Sequence, residues 1–146
     1  MENLKKMVFN LPSSLFVAGY IGWFDAGEKG RGMVALKDIP AGTVVERNPV
    51  IIMPYDTLRT SDGQKSILEH YIFRWGPEDE NQITPHCCWA LGNIPIANHS
   101  ANPNCDVRND YTNNVIELFA LRPINRGEEI TIDYDLGDDI WFDAVE

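Results

Sequence analysis

The 146-residue chain predicts a mainly β protein organised as one domain. Three observations predict it. Short runs rich in β-branched and aromatic residues fill both ends of the chain, turn residues separate them, and a single stretch of helical spacing lies between.

In the first third, Leu15 to Tyr20, Met33 to Leu36 and Thr43 to Arg47 read as strands, with Pro40-Ala41-Gly42 turning the chain before the last. Val50 to Met53 is a short apolar run closed by Pro54, consistent with a buried strand. In the middle, Ile67, Leu68, Tyr71, Ile72 and Trp75 recur at helical spacing, with Ser61 or Asp62 as a candidate cap and Gly76-Pro77 as the stop. Glu78 to Gln82 is a polar loop, and His86 to Leu91 reads as the start of another helical turn. In the last third, Cys105 to Tyr111 and Val115 to Leu121 flank Thr112-Asn113-Asn114, a hairpin signature. Arg126-Gly127-Glu128 then turns the chain into Glu129 to Tyr134, where Ile130 and Ile132 alternate with Thr131 and Asp133.

Composition narrows the function. Hydrophobic residues make up 44% of the chain, enough to close a core without cross-links. The cysteines, Cys87, Cys88 and Cys105, are odd in number and two are adjacent, a poor disulfide framework that points to a reducing, intracellular setting, the cytoplasm or, in a eukaryotic host, the nucleus and its chromatin. No apolar run is long enough to cross a bilayer, so no membrane role is expected. Lys5 and Lys6 precede apolar residues, but Asn10, Pro12, Ser13 and Ser14 interrupt them and no small-residue cleavage site follows, against a secretion signal. The net charge of −10 repels phosphate backbones and disfavours direct nucleic-acid binding. It suits a basic partner such as a lysine-rich tail, and serves solubility equally well.

Four stretches could carry chemistry. Gly30-Arg31-Gly32 would let backbone amides approach a ligand closely, because glycine has no side chain to block it; a surface turn explains it as simply. Asn98-His99-Ser100 with Pro103-Asn104-Cys105 gathers polar groups that could meet a ligand or bond their own backbone. Glu129 to Tyr134 is a strand ending in a tyrosine, catalytic or merely a core residue with a wet hydroxyl. Trp141-Phe142 could stack on a planar ligand or tack the acidic tail to the core. His86, Cys87, Cys88, His99 and Cys105 are soft ligands without zinc spacing, so no metal is expected. A Cys105–His99 nucleophile has no supporting context.

In order, these segments resemble the SET-domain family of protein-lysine methyltransferases. Lys29-Gly30-Arg31-Gly32 with Ile39-Pro40-Ala41-Gly42 is similar to the family's opening pattern. Asn98-His99-Ser100 with Pro103-Asn104-Cys105 is similar to its most characteristic segment, and Gly127 to Tyr134 to its closing one. The compact form resembles small stand-alone bacterial and viral members. The resemblance implies a SET fold of small antiparallel sheets, with a core over about 15–142, a helical insert over about 55–89 and a C-terminal pseudoknot, an exception to unthreaded topology. It implies S-adenosylmethionine as cofactor, held by Gly30, Arg31, Gly32, Asn98 and His99, with Trp141 and Phe142 against the adenine. Tyr134 would be the catalytic tyrosine of a channel admitting a lysine from a basic protein substrate.

The chain departs from the histone-specific branch. A second channel tyrosine is expected after the strand at Thr43 to Val45, but Arg47-Asn48-Pro49 stands there. Ile132 replaces an aromatic two residues before Tyr134, and no cysteine-rich zinc segment follows. Two other readings remain: a SET-fold module without catalysis that binds basic peptides, and methylation of a non-protein amine.

Overall fold

The computed structural model describes residues 19–76 and 86–134. Within them, nine strands form two sheets. The first has the order β1 (Ile21–Asp25), β2 (Arg31–Ala35), β9 (Glu129–Ile132), β6 (Asn98–His99). The second has the order β4 (Ile72–Trp75), β5 (His86–Ala90), β3 (Val44–Pro54), β8 (Val115–Ala120), β7 (Cys105–Asp110). All pairings are antiparallel except β6 with β9, which run parallel through Asn98↔Thr131 and His99↔Ile132.

Alternation in the sequence places the core. Met33 and Ala35 from β2, Ile116 and Leu118 from β8, and Ile130 and Ile132 from β9 bury fully between the sheets with Ile39, Val45, Ile94 and Ile124. Ile39 and Ile124 exchange backbone hydrogen bonds at 2.8 and 2.9 Å, tying the entry to β3 to the exit from β8. A smaller core of Met53, Leu58 and Cys87 lies under the insert.

The expected strands at Met33 to Leu36, Thr43 to Arg47 and Val50 to Met53 are present as β2 and β3, the last two fused into the 11-residue β3 with a bulge between Val44 and Glu46. Val50 to Met53 is not a buried strand: Met53 packs in the small core while Ile51 and Ile52 are exposed. The hairpin of β7 and β8 turns over Tyr111 to Asn114. Asn114 takes φ 52°, and the Asp110 carboxylate accepts from the backbone N–H groups of Thr112 and Asn113. Of the first expected strand, residues 15–18 lie outside the described residues; the strand observed begins at Ile21.

Two helical readings are corrected. Ile67 to Tyr71 forms a five-residue 3₁₀ turn, and the chain then becomes β4. Its cap is Ser66, whose hydroxyl accepts from the Leu68 N–H, rather than Ser61 or Asp62. His86 to Ala90 is β5, not a helical turn. The reason is tertiary: β5 lies between β3 and β4, and Cys87 and Cys88 are both fully buried, one on each side of it. An α-helix over Ile67 to Trp75 would leave β5 without its outer partner, and the branched and aromatic residues of β4 suit a strand as well. Among the described residues of the insert, helical structure is confined to short 3₁₀ turns, Tyr55–Leu58 and Ile67–Tyr71.

Leu118 is fully buried at the centre of the core. Leu118→Ala should cost about 2–5 kcal/mol, read as a lower urea midpoint with an unchanged slope.

Candidate active site

The parallel contact of β6 with β9 assembles the site. It brings Asn98 and His99 beside the strand that ends at Tyr134, while β2, paired to the other side of β9, carries Arg31 and Gly32. Side chains reinforce it. The Asn104 amide donates to the Glu129 carbonyl at 2.8 Å and its oxygen accepts from the Thr131 N–H at 2.9 Å, so it stands in for a strand partner. Ser100 N–H donates to the Ile132 carbonyl at 3.0 Å. The Asn98 amide donates to the Glu129 carboxylate at 2.8 Å.

Tyr134 is partly buried against the main core. Its hydroxyl donates to the Ala97 carbonyl at 3.0 Å, and its backbone N–H donates to His99 Nδ1 at 3.3 Å. The two rings lie 5.3 Å apart, tilted by 48°. Asp133 Oδ1 also approaches His99 Nδ1, at 3.6 Å. Burial raises the Tyr134 phenol above the usual tyrosine range. The backbone of His99 pulls the other way, and the charges of Tyr71 and Glu129 add to the rise. At neutral pH the hydroxyl therefore keeps its proton.

The Ala97 carbonyl is itself held from β3. Asn93 donates its backbone N–H and side-chain amide to the Glu46 carboxylate at 3.0 and 2.8 Å, and Ile94 N–H donates to Asn48 Oδ1 at 3.2 Å. Gly92 lies so close that a Cβ there would sit 2.1 Å from Asn48. Where a second channel tyrosine was expected, Arg47 pairs with Asp110 and Glu117, and Asn48 performs this anchoring. Sequence reasoning missed Glu46 and the anchoring role of Asn48, whose contacts to Asn93 and Ile94 exist only once β3 lies beside the turn before Asn98.

The glycine motif divides in two. Gly30 has φ 81° and open space where a Cβ would lie, while its N–H donates to the Gly27 carbonyl and its own carbonyl accepts from the Ala26 N–H. Gly32 is instead crowded by Phe24, Glu129 and Asn98. The Asn98 amide and Glu129 carboxylate gathered at Gly32 fit a cofactor with a zwitterionic end. Arg31 is exposed at the start of β2. Trp141 and Phe142 lie outside the described residues, as does the threading of the C-terminal segment.

The cysteines are not nucleophiles. Burial pushes the Cys88 and Cys105 thiols from 9.0 up to about 12 and raises Cys87 as well. Among the described residues no group of three His, Cys, Asp or Glu gathers as a metal site.

The SET-domain family pattern matches residues 30–135, the span that contains all three motifs. The chain belongs to the SET-domain family. It is 34% identical over 119 residues to the histone-lysine N-methyltransferase specific for H3 lysine-37 of Schizosaccharomyces pombe, covering 82% of this chain and 74% of that one. It is 34% identical over 121 residues to human histone-lysine N-methyltransferase 2B, covering 78% of this chain but only 4% of that protein. In fold it is similar to a Plasmodium falciparum protein assigned as a histone methyltransferase, with TM-score 0.61, 22% identity and coverage of 83% and 97%. It is also similar to KRYPTONITE, solved in complex with mCHG DNA and SAH, with TM-score 0.58, 25% identity and coverage of 84% and 25%. The family's reaction, methyl transfer from S-adenosylmethionine to a protein lysine, is this chain's reaction.

Alkaline stability tests the buried acids. The folded Cys88, Cys105 and Tyr134 hold their protons above the values of the unfolded chain. Above about pH 9 the unfolded state therefore binds fewer protons and stability falls as pH rises. The urea midpoint should be flat from neutrality to about pH 8.5 and drop between about pH 9 and 12.

Proposed function

We propose that Tyr134 is the catalytic tyrosine and that the substrate is a lysine of a basic chromatin protein, such as a histone tail. The observation that carries the reading is the Tyr134 hydroxyl donating to the Ala97 carbonyl, one residue before Asn98, at the meeting point of the three motifs. S-adenosylmethionine, when bound, supplies the electrophilic methyl group on a sulfonium. Gly30, Arg31 and Gly32 with Asn98 and His99 would hold it, and Trp141 with Phe142 would lie against its adenine.

The chain's own residues then orient an amine. A lysine is charged below its ordinary pKa of about 10.4 and cannot attack until it is neutral; a half-buried, apolar setting favours the neutral form. Tyr134 keeps its phenolic proton and gives it to Ala97, so its oxygen lone pairs are available to an amine N–H. It therefore orients the amine rather than removing its proton, which leaves to solvent before the transfer. Alignment of nucleophile and methyl group supplies the rate, since in-line displacement needs little else from the protein.

The whole chain is read as one SET domain with its variable insert over about 55–89. The net charge of −10 supports a basic substrate. The relatives' names favour chromatin over the cytoplasm as the place of action.

Tyr134→Phe should lower kcat on histone H3 by about 100-fold or more while leaving affinity for S-adenosylhomocysteine unchanged; wild-type turnover in the folded variant would overturn its role.

A further inference from the structure

We propose that Glu129 is a positioning residue: it fixes the orientation of the Asn98 amide and, by its charge, selects the ammonium-bearing end of the cofactor. The inference rests on the reading that Asn98 lies in the cofactor site.

Strand register places the groups. Glu129 is paired with Val34, and Gly32 lies two residues before Val34, hence on the same face of the sheet. Asn98 is paired with Thr131, two residues beyond Glu129 and again on that face. Met33 and Ile130 occupy the opposite face, which is the core. One side of this sheet is therefore apolar and sealed, while the other gathers Gly32, Glu129 and Asn98. Their contact is direct. A Cβ on Gly32 would lie 2.9 Å from Glu129 Oε1 and 3.0 Å from Asn98 Nδ2, and those two atoms are 2.8 Å apart.

The chemistry follows from what each group can do. An ionised carboxylate only accepts, so the branch of the Asn98 amide that touches it must be the NH₂. The amide oxygen is then turned away from Glu129, as an acceptor. Asn98 is only 8% exposed, so an amide flipped the other way would set oxygen against oxygen in a site that water barely reaches. Among the described residues no Lys or Arg pairs with Glu129. Its negative charge is felt as far as the Tyr134 phenol. A half-buried carboxylate without a cation, beside an outward acceptor, favours a bound cation and disfavours an anion. On S-adenosylmethionine and its product, the α-ammonium group is the polar terminus of that sign.

The test is calorimetry on the full chain with two ligands. S-adenosylhomocysteine carries the ammonium group; methylthioadenosine has the same nucleoside and sulfur without the amino-acid end. Glu129→Ala should weaken S-adenosylhomocysteine binding by at least about 10-fold and leave methylthioadenosine within about 2-fold. Glu129→Gln keeps an oxygen that can accept from Asn98 and loses the charge, so it should fall between wild type and Glu129→Ala. If Glu129→Ala does not fold, Glu129→Gln decides: selective loss of S-adenosylhomocysteine supports the proposal, and wild-type affinity for it overturns it. Equal loss of both ligands in a folded variant also overturns it, since Glu129 would then act on the pocket as a whole. Failure of the wild type to bind S-adenosylhomocysteine would instead defeat the placement of Asn98 in the cofactor site, and this inference with it.

Discussion

Two residues of parallel pairing, Asn98 and His99 against Thr131 and Ile132, are the constraint on which the site depends. Parallel strands cannot be joined by a tight turn, so the chain must leave and return, here through the whole β7–β8 hairpin. So short a ladder is weak by itself. The chain compensates with side chains that copy backbone chemistry: Asn104 pairs with β9 as a peptide would, Asn98 reaches Glu129, and His99 accepts from the Tyr134 N–H. Each bond spans 25 residues or more of sequence, so each acts on the tertiary approach rather than on local shape.

The same need explains why polar residues are buried beside an otherwise apolar core. Glu46, Asn48, Asn98 and Asn104 are all nearly inaccessible, and all four bond to segments without a long ladder of their own. Irregular backbone leaves N–H groups that must find partners when water is excluded. Glu46 and Asn48 supply them to Asn93 and Ile94, and so fix the short turn that ends at the Ala97 carbonyl. The acceptor for the Tyr134 hydroxyl is thereby set by β3, a strand that contributes nothing else to the site.

Electrostatics divides along the same lines. Burial keeps the Tyr134 phenol and the cysteine thiols neutral, which suits orientation and removes thiol chemistry. The Glu129 carboxylate lies beside Gly32 and accepts from the Asn98 amide, and its charge adds to the rise of the Tyr134 phenol.

The amino-acid sequence by itself determined most strands, the β7–β8 hairpin, the alternation of Ile130 and Ile132 and the three motifs, because alternation, turn residues and motif order are local properties. Met33, Ile116, Leu118, Ile130 and Ile132 are buried as their alternation requires. Only the tertiary structure decided the rest. Ile67 to Trp75 has helical spacing, yet Ile72 to Trp75 pairs with β5, because a sheet edge offered more than a short helix of branched residues could. His86 to Ala90 became a strand for the same reason. Glu46 carried no motif signal of its own, and Glu129 lay in the closing motif without an assigned contact. Their contacts exist only once β3 and β9 stand beside the Asn93–Asn98 segment, and side-chain contacts between distant segments leave no periodic trace in a single chain.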